Sequence, residues 1–341
     1  LYSQPSHRLR SFVHTPTMSL EALPAELDEW ILDHLKRRDL SAVSQVSKYY
    51  RKIAEPHLYR KIRLPANRNI HVRRLLLTLL LRNDLATHIR HMEIEKTPIL
   101  QTRRQWSEEA QIRMAQAMPA VQDLIASIIG LDACFSGIRM TWLGSVLGED
   151  FLEGTSVLIA CLALNVESIS FTLHNSIERL TDNGSFFSRM LAEVTSRSHE
   201  HSGRFLELRK LIMQSPTHIE LPKLSSLQTI KIIGCTRLSY QCPPGLTNVR
   251  KMEMDHTWGG VPALSKYLHR DHTYHLSKLV INLEYRNSTT DYQQIISKLP
   301  SACPQLKLLK LAIHRSSANR FAPLTGFKAL RSLQTLCIDL S

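Results

Sequence analysis

At 341 residues the chain has room for two domains of about 150 residues each, and an apolar fraction of 43% is that of a folded protein, which excludes large-scale disorder. The formal charge of +13, from 43 Lys and Arg against 30 Asp and Glu, is broken into short clusters such as Lys36-Arg37-Arg38, Arg73-Arg74 and Arg103-Arg104. With aromatics at 6%, the chain lacks the basic, aromatic-studded stripe of a nucleic-acid surface, and its longest apolar runs, residues 75–81 and 157–164, fall well short of a membrane span. Residues 1–18 carry Arg8 and Arg10 and are expected to form a basic, flexible N-terminal segment.

Residues 19–64 are dense in apolar positions at helical spacing. Leu27, Ile31 and Leu35 fall four apart and share one helix face. Pro24 suits the start of that helix, where its missing N–H is not needed. Asp39 reads as the N-cap of a second helix carrying Leu40, Val43, Val46, Tyr50 and Ile53 as a stripe. Pro56 is expected to limit that helix, with a last short turn over residues 57–62. A unit of about 45 residues is marginal alone, yet Leu23, Pro24, Trp30, Leu32 and Leu58 lie outside these stripes. The surplus must be covered by the rest of the chain or by another protein.

The pattern Leu23-Pro24-x-Glu26-Leu27, Ile31, Leu35, Asp39-Leu40, Val43, Val46-Ser47-Lys48, Arg51 resembles an F-box. The continuation Ala54-Glu55-Pro56-x-Leu58-Tyr59-Arg60 resembles the form common in filamentous-fungal F-box proteins. One departure is Tyr49-Tyr50, where the family often has Trp. The resemblance implies a three-helix fold that docks on the Skp adaptor of a Skp–cullin–F-box ubiquitin ligase. Leu23, Pro24, Ile31, Leu35, Leu40, Val43 and Val46 match the family's signature positions, some building the core and some touching the adaptor. Leu23 and Pro24 are the expected direct contacts.

Residues 65–341 hold an internal repeat of the form Φ-x-x-Φ-x-x-Φ-x-Φ, with Φ apolar. It is clear at Leu224/Leu227/Ile230/Ile232, Leu246/Val249/Met252/Met254, Cys303/Leu306/Leu309/Leu311, Leu330/Leu333/Leu336/Ile338 and Phe205/Leu208/Leu211/Met213. Weaker copies are Ala86/Ile89/Met92/Ile94, Ala163/Val166/Ile169/Phe171 and Thr273/Leu276/Leu279/Ile281, and a further one is read at Met118/Val121/Leu124/Ala126. The closing Φ-x-Φ has the period of a strand, so both side chains point to one side. A single unit cannot bury that face, whereas stacked units share a core under a parallel sheet. The copy running from Leu227 to Leu238, with Cys235 where that family places Asn or Cys, resembles the leucine-rich repeat. The resemblance implies an α/β fold, an irregular solenoid with a curved parallel sheet following the three-helix F-box. Residues 99–117, 140–147, 151–164 and 292–299 read as helices, and the array is expected to continue past Ser341.

The residue between the two strand Φ positions, with its neighbours two away, faces the concave side. That strip gives Lys210, Thr229, Lys231, Lys251, Glu253, Lys278 and Lys310 as candidate contacts for a protein target. No signature of enzymatic chemistry competes with it. The His199/His201 and His269/His272/His275 clusters lack a full ligand set, Gly259-Gly260 reads as a turn, and no Walker, H-E-x-x-H, G-x-S-x-G or G-x-G-x-x-G pattern occurs. Cys134, Cys161, Cys235, Cys242, Cys303 and Cys337 show no C-x-x-C spacing and are expected as buried free thiols of a reducing compartment, cytoplasmic or nuclear. The expected protein is a non-enzymatic substrate receptor without cofactor or metal, bound to the adaptor and through it to a cullin. The alternative is a regulatory interaction protein that works outside a ubiquitin ligase.

Overall fold

The computed structural model describes residues 24–65, 69–96, 108–129, 136–147, 151–173, 187–192, 194, 205–214, 218–220, 224–234, 237–239, 248–255, 268, 275–283, 289–313 and 325–339. Two compact units divide between Leu58 and Tyr59.

The first unit contains α1 (Ala25–His34), α2 (Arg37–Val43) and most of α3 (Lys48–Arg60). Pro24 caps α1, its carbonyl accepting the N–H groups of Leu27 and Asp28. The expected single second helix is two. Lys36, not Asp39, is the N-cap of α2, and Asp39 sits in its first turn, where a carboxylate favours the helix dipole. Ser47 then starts a new helix: its Oγ accepts the Tyr50 N–H at 3.2 Å, satisfying a donor that α3 leaves open. Pro56 does not end α3 but lies inside it, at the cost of one backbone hydrogen bond. Leu32, Leu40 and Ala54 form the core, with Leu35, Val43, Ile53 and Leu58 packed on it. Leu32 and Leu58 are therefore interior residues, not surplus. α1 buries Asp28 and Leu32, one position on from the expected Leu27 and Ile31, while Leu35, its C-cap, is half-buried.

The second unit is an α/β assembly around nine parallel strands. These are β1 (Lys61–Pro65), β2 (His91–Lys96), β3 (Ser168–Leu173), β4 (Lys210–Gln214), β6 (Thr229–Ile233), β8 (Lys251–Asp255), β9 (Lys278–Leu283), β10 (Leu308–Ile313) and β11 (Thr335–Asp339). They lie side by side in chain order. Two short strands, β5 (His218–Glu220) and β7 (Arg237–Ser239), pair separately. The register aligns the repeat. Ile62, Met92, Ile169, Leu211, Ile230, Met252, Leu279, Leu309 and Leu336 form one ladder, and Leu64, Ile94, Phe171, Met213, Ile232, Met254, Ile281, Leu311 and Ile338 form the next. Through β10 both ladders are buried; on β11, Leu336 and Ile338 are each 40% exposed.

The first two Φ positions bracket a tight turn. The N–H of Ile89, Val166, Leu208, Leu227, Leu306 or Leu333 bonds the carbonyl three residues back, on the first Φ of its copy. Both apolar side chains thus enter the same core, as with Phe205 and Leu208 or Ala163 and Val166. The pattern begins earlier than expected, since Tyr59, Ile62 and Leu64 already keep it; Lys61–Leu64 is a strand, not part of a closing turn. The copy read at Met118–Ala126 is no strand at all but lies within α6 (Glu108–Ile129), where Val121 and Ile125 are spaced for a helix face.

The remaining helices of this unit are α4 (Asn69–Leu81), α5 (Asn83–Ala86), α7 (Ser136–Leu147), α8 (Phe151–Leu162) and α9 (Thr289–Ala302). α4 and α7 pack on α8. Trp142 is fully buried and donates its indole N–H to the Gly154 carbonyl at 3.0 Å. Pro119 and Pro300 lie inside α6 and α9. Residues 99–107 of the expected first helix lie outside the described residues.

Candidate functional site

Alternation along each strand sends every second side chain away from the core. The sheet therefore presents three rows on its outer face. The first, at the strand N-termini, includes Lys210, Thr229, Lys251 and Lys278. The second includes Lys231, Glu253, Val280 and Lys310. The third includes Asp255, Asn282, Ala312 and Asp339. All seven residues of the expected strip stand on this face. Lys210, Lys251 and Lys310 are exposed, and the other four are half-buried.

Glu253 organises the middle of the face. Lys278 donates to its Oε1 at 2.8 Å, and Lys231 lies 3.5 Å from Oε2. The Lys278 hydrogen bond holds the Glu253 carboxyl below the usual carboxylate range, against the upward push of partial burial. Because the folded-state value is depressed, the stabilisation is present at neutral pH and disappears as pH falls through that value. A carboxyl NMR titration is expected to put the Glu253 midpoint below that of ordinary glutamates, and Lys278→Met is expected to raise it. The stability change of that variant should stay under about 1 kcal/mol, since both side chains are partly solvated. Beside this cluster lies an open depression of about 210 Å³, lined by Asp255, Val280, Asn282, Ala312 and Asp339 among others. Asn282 donates to Asp255 at 2.7 Å. At the other end of the sheet the charges pair among themselves, Lys61 with Glu93 and Arg63 with Glu95, each at 2.7 Å.

The helical unit offers a surface of different chemistry. Its core takes Leu40 fully and Leu35 and Val43 in part. Asp28 is drawn inward with them and accepts a hydrogen bond from the Tyr49 hydroxyl at 2.6 Å. The apolar side chains left outside are Pro24, Leu27, Trp30 at 65% exposure, Ile31 at 40% and Val46 at 71%, interspersed on α1 with exposed Glu26, Glu29 and Asp33. Leu27, Trp30 and Ile31 are three and four apart, so they share the outward face of α1. The three helices run in the order and with the signature spacing already described.

Residues 20–65 match the F-box-like family model. No curated protein matches the chain. F-box-like domains typically bind Skp-type adaptors, and the structure sorts this domain's signature residues by exposure. Pro24, Ile31 and Val46 are open, Leu40 is interior, and Leu35 and Val43 are half-buried. Leu23 lies outside the described residues. Reasoning from the sequence missed the Asp28–Tyr49 bond of the F-box-like domain, although Asp28, Leu32 and Leu35 have helix-face spacing of their own.

Other candidates separate cleanly. Cys161 and Cys303 are buried thiols outside any disulfide, as expected, whereas Cys337 is exposed on β11, a strand exposed along its whole length. Cys134, Cys235, Cys242, His199, His201, His269, His272 and Gly259-Gly260 lie outside the described residues. Among the described residues no three His, Cys, Asp or Glu side chains gather as metal ligands, and no helix is long and apolar enough to cross a membrane.

Proposed function

We propose that this protein is a substrate receptor of a Skp–cullin–F-box ubiquitin ligase. The F-box-like domain takes the adaptor through the outward face of α1, with Pro24, Trp30, Ile31 and Val46 as contacts. The sheet unit is an irregular leucine-rich-repeat domain, whose outer strip from Lys210 to Lys310 takes a protein target. The run Ala54-Glu55-Pro56 favours the fungal form of the F-box. The chain supplies proximity and no bond chemistry, acting in the cytoplasm or nucleus without a cofactor.

The observation that carries this reading is the exposed apolar face of a domain whose family pattern is an adaptor-binding one. Isolated exposed side chains are common on any surface, but Leu27, Trp30 and Ile31 adjoin on one helix. In-register stacking of the repeat supports the second half of the reading, because strands that started alike by coincidence would not set their two closing Φ positions in two continuous ladders. The test is co-purification from cells followed by mass spectrometry. Adaptor and cullin are expected together; adaptor without cullin would favour a regulatory role outside the ligase, and absence of adaptor would sink the reading.

A further inference from the structure

The outer face of the sheet is charged in a direction. Its first row is basic, with Lys210, Lys251 and Lys278 at the strand N-termini. Its third row carries its charge at Asp255 and Asp339, at the strand C-termini flanking the depression, with Asn282 and Ala312 between them. Lys278 and Lys231 are engaged by Glu253 in the row between them. Lys210 and Lys251 are exposed and make no ion pair among the described residues. The two rows stand four residues apart along each strand, about 13 Å at 3.3 Å per residue. An α-helix with its side chains is about 10–12 Å across.

From this we infer that the face is built for an α-helical segment of the target, laid across the strands, acidic along the flank over the lysine row and basic along the flank over the aspartate row. The inference rests on the reading of this face as the target-binding surface and specifies what binds there. The charge pattern chooses against the simpler occupant, a uniformly acidic segment, because such a segment would bring one flank against Asp255 and Asp339. Val280 and Ala312 give the helix an apolar floor within the depression, whose lining carries Asp255 and Asp339 on the third row and Lys231, Glu253 and Lys310 on the second. Turning a helix end for end exchanges its flanks. The handedness of the target's stripes therefore sets the direction in which it lies, and the sheet imposes polarity on its partner without any end-specific contact.

Three stapled helical peptides of 18 residues test this, each about 27 Å long and so able to span the roughly 24 Å from β4 to β11. One has Glu along one flank and Arg along the other. The second has the same composition with Glu and Arg mixed on both flanks, and the third has Glu on both. Binding to the full chain is read by fluorescence anisotropy at low and high salt. The segregated peptide is expected to bind at least tenfold tighter than either other, with salt weakening it. The pair Lys210→Glu and Lys251→Glu, both exposed and so neutral to folding, is expected to remove that preference. Equal binding of the segregated and mixed peptides, tighter binding of the all-Glu peptide, or no binding by any would overturn the inference. The receptor reading is tested separately: a cellular target that cross-links to the strip but has no charge-segregated helix leaves it standing, whereas a target that cross-links nowhere on this face sinks both.

Discussion

Truncating Phe171 to alanine is expected to destabilise the protein by about 3–5 kcal/mol. Phe171 sits on β3 with no exposed surface, in the ladder between Ile94 and Met213. Its ring stacks on that of Phe187, the centroids 4.7 Å apart and the planes within 3°. Deleting it opens a cavity bordered by two strands and by the helical stretch at 187–192. That stretch cannot simply collapse inward, because the Phe187 N–H is tied to the buried Glu153 carboxylate at 2.7 Å. The matched control is Ser170→Ala, on the opposite face of the same strand, which should change stability by less than about 0.5 kcal/mol. Chemical denaturation of both variants checks the pair. Equal effects would mean that the alternation along β3 is misassigned.

The second large effect belongs to the helical domain. Changing Trp30 to Ala and Ile31 to Asp together is expected to weaken adaptor binding by about 4 kcal/mol, near a thousandfold, at about 2 kcal/mol for each interfacial anchor. Neither side chain enters the cluster of Leu32, Leu40 and Ala54, so the helical circular dichroism and melting of the variant should match the parent. Leu40→Ala is the contrasting case: it should lose adaptor binding only by loosening the fold, with a lower melting temperature. Calorimetric titration with purified adaptor measures both. Full affinity in the Trp30/Ile31 variant would place the interface elsewhere.

The sequence disclosed the sheet more accurately than the helices, for a physical reason. A parallel strand buried on one face repeats its apolar positions every two residues, and a neighbour in register must do the same, so the signal is reinforced strand after strand. Ile230/Ile232 and Leu309/Leu311 could be paired on paper because both keep the same lead-in turn. The outer strip followed from the same alternation. Helix faces are less determinate. On α1, Leu27/Ile31/Leu35 and Asp28/Leu32/Leu35 both fit a helical period, one step apart, and the apolar count favours the wrong one. The buried face contains an acid because Tyr49, distant in sequence, hydrogen-bonds it. Ser47 marks the break between α2 and α3, but the continuous apolar stripe from Leu40 to Ile53 masks it. Met118–Ala126 failed because Φ-x-x-Φ-x-x-Φ also suits a helix, and only the final period-two step distinguishes them. The charge segregation across the sheet was not legible, since it depends on which residues register sets side by side.

One backbone detail recurs down the sheet. The Arg90 carbonyl accepts the N–H groups of both Glu167 and Ser168, and the Glu167, Arg209, Gln228, Arg250, Ser277 and Lys307 carbonyls each do the same for the strand that follows. Each strand of the large sheet from β3 onward is thus pinned by two amides to one oxygen of its predecessor, independent of the path taken between them. Residues 97–167, which include α6, α7 and α8, separate β2 from β3, while β4 and β6 are joined by 14 intervening residues, 215–228; both steps keep the same stagger. Excursion length therefore differs fivefold between steps while stagger is locked. The helices of the long excursion fill the core behind the sheet, whereas the spacing of the outward side chains is dictated by the strand junctions alone.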